Sequence, residues 1–156
     1  MAGSVHVSVM LREVLHQLEL SPGLTVVDGT LGAAGHSQKI VEQIGSEGTL
    51  VGLDRDPMML GFAAEKVSGP NIHLRQASYV DIRSELDGLG IESVDRILLD
   101  LGLSSDQLAD RDRGFAYSTD APLDMRFDVS SGESAADLLA HIDESSLADI
   151  LHRYGE

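Results

Sequence analysis

The chain contains no cysteine, no long apolar run and few basic residues. The first absence excludes disulfides, thiolate zinc sites and a thiol nucleophile. The second excludes a membrane-spanning helix, which needs roughly 18 apolar residues in succession, and "MAGSVHVSV" lacks the basic-then-apolar pattern of an export signal. The chain therefore reads as cytosolic. The third leaves 11 Lys and Arg against 26 Asp and Glu, a formal net charge of −15. Residues 1–100 carry 7 basic and 14 acidic side chains, and residues 101–156 carry 4 and 12. A phosphate backbone is normally met by a cationic excess, so charge alone argues against RNA or DNA as a partner.

What is present is a globular composition, 42% hydrophobic, enough in 156 residues for one buried core. Val9, Leu11, Val14, Leu15 and Leu18 recur at helical spacing, and "SPG" (21–23) stops that helix. "TVVD" (25–28) reads as a short buried strand, and Ile40, Val41 and Ile44 mark a helix that ends at Gly45. "TLVGLD" (49–54) is a second strand, after which Asp56 and Pro57 open another helix as cap and first residue. "IHLRQ" (72–76) and "VDRILLDL" (94–101) are the third and fourth strands. This alternation predicts an α/β, Rossmann-like parallel sheet with helices on both faces.

After Leu101 the rhythm stops. Residues 102–133 show no clear period, and two short helices follow, "SAADLLAH" with a Ser134/Asp137 capping box and "ESSLADILHRY" closed by Gly155. The division expected is a core over 1–105 and a loop with the start of a helical insert over 106–156. Four strands are few for a doubly wound sheet, so the chain also reads as a fragment with an incomplete sheet.

In such a sheet the ligand lies beyond the carboxyl ends of the strands. Four features fall there: the loop "VDGTLGAAGHS" (27–37), Asp54, "ASY" (77–79) and Asp100. Asp54 lies 22 residues past Gly32, the separation at which an acid reaches a ribose hydroxyl pair. The loop matches neither the dinucleotide pattern G-x-G-x-x-G nor the P-loop, so a pyrophosphate has no cradle, and Asp28 ahead of it would repel one. S-adenosylmethionine (SAM), cationic at sulfur and free of phosphate, suits an acidic entrance better. Each residue also has a plainer reading. Asp28 caps the next turn, His36 is a polar helix start, Tyr79 either packs in the core or stacks on adenine, and Asp100 either caps "LGLSS" or stands at the reacting centre.

The segments "HVSVMLREVL" (6–15), "VDGTLGAAGHS" (27–37), "GLDRDP" (52–57), "DLGLSSDQL" (100–108), "RGFAYSTDAPLDMRFD" (113–128) and "LADILHRYGE" (147–156) closely resemble the RsmH (MraW) family. The resemblance covers essentially the whole chain. It implies a class I SAM-dependent methyltransferase acting on the exocyclic N4 of a cytosine in 16S rRNA of the small ribosomal subunit. It also implies SAM contacts from Ala34, Gly35 and His36 in the loop, Asp54 on the ribose, Tyr79 near the adenine, and Asp100 with Gln107 nearer the methionine part or the target base. Two departures touch the site: Ala34 stands where the family usually has Gly and Tyr79 where it has Phe. A third, Ser8 in place of Pro, is read as neutral. Family members run to about twice this length.

The chemistry expected is direct transfer of a sulfonium methyl to N4 without a covalent enzyme intermediate. Asp100 accepts hydrogen bonds from the amino group, and alignment contributes most of the acceleration. Phe115, Tyr117 or Phe127 would clamp a flipped base. Contact with RNA despite the acidic balance would come from local arginines such as Arg111, Arg113 and Arg126, or from sequence beyond this chain. Two rival readings stand beside this one: an NAD-dependent oxidoreductase, and a SAM-binding fragment without turnover.

Overall fold

The computed structural model describes residues 8–118 and 120–155. His6 and Val7 of the first family-like segment, Thr119 of the fifth and Glu156 of the last lie outside them. The chain divides into two compact units, 1–104 and 105–156.

The first unit is a four-stranded parallel sheet. Helix α1 (Leu11–Leu18) precedes β1 (Thr25–Asp28), then come α2 (Gly35–Ile44), β2 (Thr49–Asp54), α3 (Pro57–Lys66), β3 (Ile72–Gln76), a 3-10 turn (Tyr79–Asp81) running into α4 (Ile82–Gly88), and β4 (Arg96–Leu98). The strand order is β3-β2-β1-β4, with the reversal between β1 and β4. That is where an open sheet of this kind forms its ligand crevice. The three expected strands 25–28, 49–54 and 72–76 are found with those bounds.

Register and packing follow from the alternation of side chains. Val26 pairs with Leu50 and Val27 with Val51. Val26, Leu50 and Leu98 pack on one face with Leu18 of α1 and Ile40 and Ile44 of α2. Val27, Val51 and Leu53 pack on the other face with Leu86 of α4. Successive β residues point to opposite faces, so a continuous apolar run is what a strand covered by helices on both sides requires. Burying each Val or Leu contributes about 1.5–3 kcal/mol. A third cluster, Leu31, Ala34, Ala63 and Val67, seats the glycine loop on α3.

Two expectations are corrected. β4 spans three residues instead of the eight of 94–101, because its partner β1 ends at Asp28 and offers the ladder only Val26, Val27 and Asp28. As the outer strand of this unit β4 leaves Ile97 and Leu99 about half exposed. Helix α4 was not foreseen. Its signal is a Ser78/Asp81 capping box followed by Ile82, Leu86 and Leu89 at helical spacing, with Leu86 buried and the other two packed beside it.

The second unit holds α5 (Ser105–Ala109), α6 (Ala135–His141) and α7 (Glu144–Tyr154). The Ser134/Asp137 capping box starts α6, Asp143 caps α7, and Gly155 ends it, the first and last as read from sequence. No helix among the described residues is long and apolar enough to cross a membrane.

Candidate functional site

The loop between β1 and α2 is built from its own backbone bonds. Gly29 N–H donates to Leu98 O (2.9 Å), Leu31 N–H to Leu53 O (2.9 Å) and Ala34 N–H to Leu31 O (2.9 Å). Gly32 takes φ +53° and Ala34 φ +58°, both left-handed. Glycine adopts this region freely, whereas for alanine it costs roughly 1–2 kcal/mol. Ala34 is the corner from which α2 starts, and its side chain is fully buried. A contact between its methyl and a ligand in the crevice is not available.

Asp54 and Asp100 are tied to this same loop, two residues apart. Asp54 Oδ2 accepts from Gly32 N–H (2.8 Å) and its Oδ1 from Asp56 N–H (2.9 Å). Asp100 N–H donates to Thr30 Oγ1 (2.7 Å). The two carboxylates thus stand beyond β2 and β4, on either side of the loop that continues β1. Burial pushes the Asp54 carboxyl above the usual carboxylate range, opposed by its bonds from the Asp56 and Gly32 amides. The Asp100 side chain is half exposed, with Oδ2 3.9 Å from His36 Nδ1. His36 is buried in the first turn of α2, and its Nε2 lies 3.0 Å from Val9 O, a donor's position toward a carbonyl.

Of the two sequence readings of Asp28, the cap is the one found, and the acidic entrance is not. Asp28 is 1% exposed and faces inward, accepting from Ser37 Oγ–H (2.7 Å) and Thr30 N–H (3.2 Å). Burial raises its pKa. It is the cap of the loop and contributes no acidic entrance. The N–H groups of residues 29, 30, 31, 32 and 34 bond to protein acceptors, so these five donors are turned away from a diphosphate.

Glycine matters here at two close approaches. A Cβ on Gly29 would stand 3.1 Å from Tyr79 Cβ and 2.6 Å from Leu99 Cδ2, so its bareness admits Tyr79 against the loop. A Cβ on Gly35 would run into Ser8 Oγ, which makes Ser8 a packing partner of the loop where sequence had read it as neutral. Tyr79 itself is 43% exposed, in the 3-10 turn after β3.

Gln107 belongs to the second unit, where it is buried in α5. Two of the three arginines proposed for RNA are already engaged within that unit. Arg113 is buried, with Nη2 donating to the Arg126 and Phe127 carbonyls, and Arg126 pairs with Asp124 (2.6 Å). Phe115 and Phe127 pack ring on ring at 5.5 Å, and Arg113 stands 5.7 Å from the Phe115 centroid. Tyr117 is fully exposed.

Residues 3–156 match the model of the MraW methylase family. The chain is 47% identical over 153 residues to the ribosomal RNA small subunit methyltransferase H of Trichlorobacter lovleyi, covering 97% of this chain and 49% of that protein. It is 45% identical over 151 residues to the protein of that name from Deinococcus radiodurans, covering 97% and 47%. The chain spans about half the length of the curated relatives it matches. A solved structure described as an rRNA-methylase candidate from Clostridium thermocellum shares the fold, with TM-score 0.51 and 17% identity over 65% of this chain and 58% of that one.

Proposed function

The chain belongs to the MraW methylase family and has the Rossmann-like sheet of a class I SAM-dependent methyltransferase; from that premise we propose that it binds SAM and methylates the exocyclic N4 of a cytosine in 16S rRNA of the small ribosomal subunit, in the cytoplasm. The observation that carries the reading is the attachment of Asp54 at the end of β2 and Asp100 after β4 to the one glycine loop that follows β1 between them.

The residues fit the donor. The Asp54 carboxylate has about four lone-pair sites, and with the Gly32, Asp56 and Arg55 amides against it acceptor capacity remains for a ribose hydroxyl. Tyr79 offers a ring face for adenine. Gly35 and His36 line the start of α2, and Ala34 sets the corner that directs them. Asp100 supplies an exposed carboxylate for the methionine ammonium or the target amino group. Bound SAM supplies an electrophilic methyl group.

With no cysteine anywhere in the chain, a ring-addition route through a thiolate is closed. Asp100 therefore acts by holding the amino group and drawing its proton as N4 is alkylated. Tyr117, whose ring is uncovered, is the aromatic best suited to stack on an extruded base.

Incubating the chain with small ribosomal subunits and isotopically labelled SAM, then weighing the nucleosides, tests the reading. N4-methylcytidine carrying the label is expected. A labelled nucleoside other than a cytidine overturns the substrate, and SAM binding without any labelled nucleoside assigns the chain donor binding alone.

A further inference from the structure

We propose that Thr30 is a positioning residue that fixes Asp100 relative to the glycine loop, a role that rests on the donor site proposed above. Three observations carry it. β4 ends at Leu98, so Asp100 lies beyond the ladder and gains no strand pairing there. Its N–H is held instead by the Thr30 hydroxyl at 2.7 Å across 70 residues of sequence. Thr30 is itself fixed from beneath, since its N–H donates to Asp28 Oδ1, and Asp28 is buried and anchored to α2 through Ser37 Oγ–H at 2.7 Å.

The result is a continuous strut from α2 to the end of β4: Ser37 to Asp28, Asp28 to Thr30, Thr30 to Asp100. Each joint has a chemical requirement. Asp28 must accept at both oxygens, which a carboxylate does. Thr30 must offer a hydroxyl oxygen, and its β-branch restricts χ1 so that the oxygen stays aimed at the Asp100 amide. Asp54 reaches the same loop at Gly32, so the strut also sets the spacing of the two aspartates. The Asp100 carboxylate is half exposed and His36 Nδ1 at 3.9 Å is too far for a hydrogen bond, so the strut is what locates the residue.

A double-mutant cycle separates positioning from mere support. Thr30→Val keeps the shape and removes the acceptor, and Thr30→Ser restores it. SAM dissociation constants and melting temperatures are measured for wild type, Thr30→Val, Thr30→Ser, Asp100→Ala and Thr30→Val with Asp100→Ala. Thr30→Val is expected to weaken SAM binding about tenfold, which is 1.4 kcal/mol, and Thr30→Ser to recover most of it. In the Asp100→Ala background the backbone bond to Thr30 is still lost, so the melting temperature still falls, but the affinity loss disappears because no carboxylate remains to be placed. Equal affinity losses in both backgrounds overturn the proposal, as does Thr30→Val binding SAM like wild type. Should Thr30→Val not fold, amide hydrogen exchange of Asp100 in the wild-type chain decides: slow exchange supports the strut and free exchange overturns it. A wild-type chain that is folded and binds no SAM removes the donor site itself, a failure distinct from either.

Discussion

Replacing Asp54 with Asn changes one atom and leaves the shape of the side chain. In the structure the carboxylate accepts Gly32 N–H at 2.8 Å on one oxygen and Asp56 N–H at 2.9 Å on the other. An amide has a single acceptor oxygen, so one of these backbone donors comes to face an NH2 group. Leaving it unsatisfied costs about 1–3 kcal/mol of stability, offset in part because a buried charge is removed. The ligand loses more specifically. An oxygen that could accept from the ribose becomes a donor, and a hydrogen bond to a charged group is worth about 1.5–3 kcal/mol. SAM affinity should therefore fall roughly tenfold to a hundredfold. The assay is calorimetric titration of wild type and Asp54→Asn with S-adenosylhomocysteine and with its 2′-deoxy form. The deoxy ligand should bind wild type about tenfold more weakly, and bind the Asn variant with little further loss. An Asn variant within about threefold of wild type, or a deoxy ligand that wild type does not distinguish, refutes the ribose assignment.

Other consequences follow from the loop and its acids. Gly35→Ala drives a Cβ into Ser8 Oγ, so it should destabilise by about 1–3 kcal/mol, and Ser8→Ala in the same chain should recover most of that in urea unfolding. Gly29→Ala presses on Tyr79 and Leu99, and should weaken SAM binding with adenine-dependent quenching of tyrosine fluorescence reduced in parallel. Burial raises the folded pKa of Asp28 and Asp54 above the ordinary 3.8, so their contribution is fully present below that value and is lost as pH rises through the folded pKa. Asp124, lowered to about 2 by Arg126, has the opposite sign: its contribution is present above 3.8 and is lost as pH falls toward 2. The melting temperature of the ligand-free chain should accordingly decline as pH rises above 3.8 through the raised values, and Asp28→Asn should flatten that decline; a slope unchanged in the variant contradicts the burial argument. SAM affinity should run the other way and drop as pH falls through the raised Asp54 pKa, because the protonated carboxyl loses acceptor capacity.

Much of the fold was legible because β1, β2 and β3 are short apolar runs flanked by glycine, proline or charge, and such runs have few alternative placements. β4 was read too long because apolar character marks burial, whereas strand length is set by the partner, and β1 stops at Asp28. Helix α4 spans only seven residues, so the period of Ile82, Leu86 and Leu89 is a weak signal even though the Ser78/Asp81 box precedes it. At the site, the 22-residue separation reads as the reach of Asp54 to a ribose hydroxyl pair; that the same carboxylate accepts from Gly32 N–H is a contact the spacing alone does not announce. The fates of Asp28 and Arg113 were not legible. An acid or a guanidinium carries the same letter whether it faces water or closes an internal network, and only the positions of Ser37 and of the Arg126 and Phe127 carbonyls decide which.

The central claim is that the glycine loop and its two attached aspartates hold a phosphate-free adenosyl donor. Titrating the wild-type chain in parallel with SAM and with NAD tests it most directly. The account predicts saturable one-to-one binding of SAM and no measurable binding of NAD, since the amides of residues 29, 30, 31, 32 and 34 are already engaged. Binding of NAD in preference to SAM, or a folded chain indifferent to both, contradicts it.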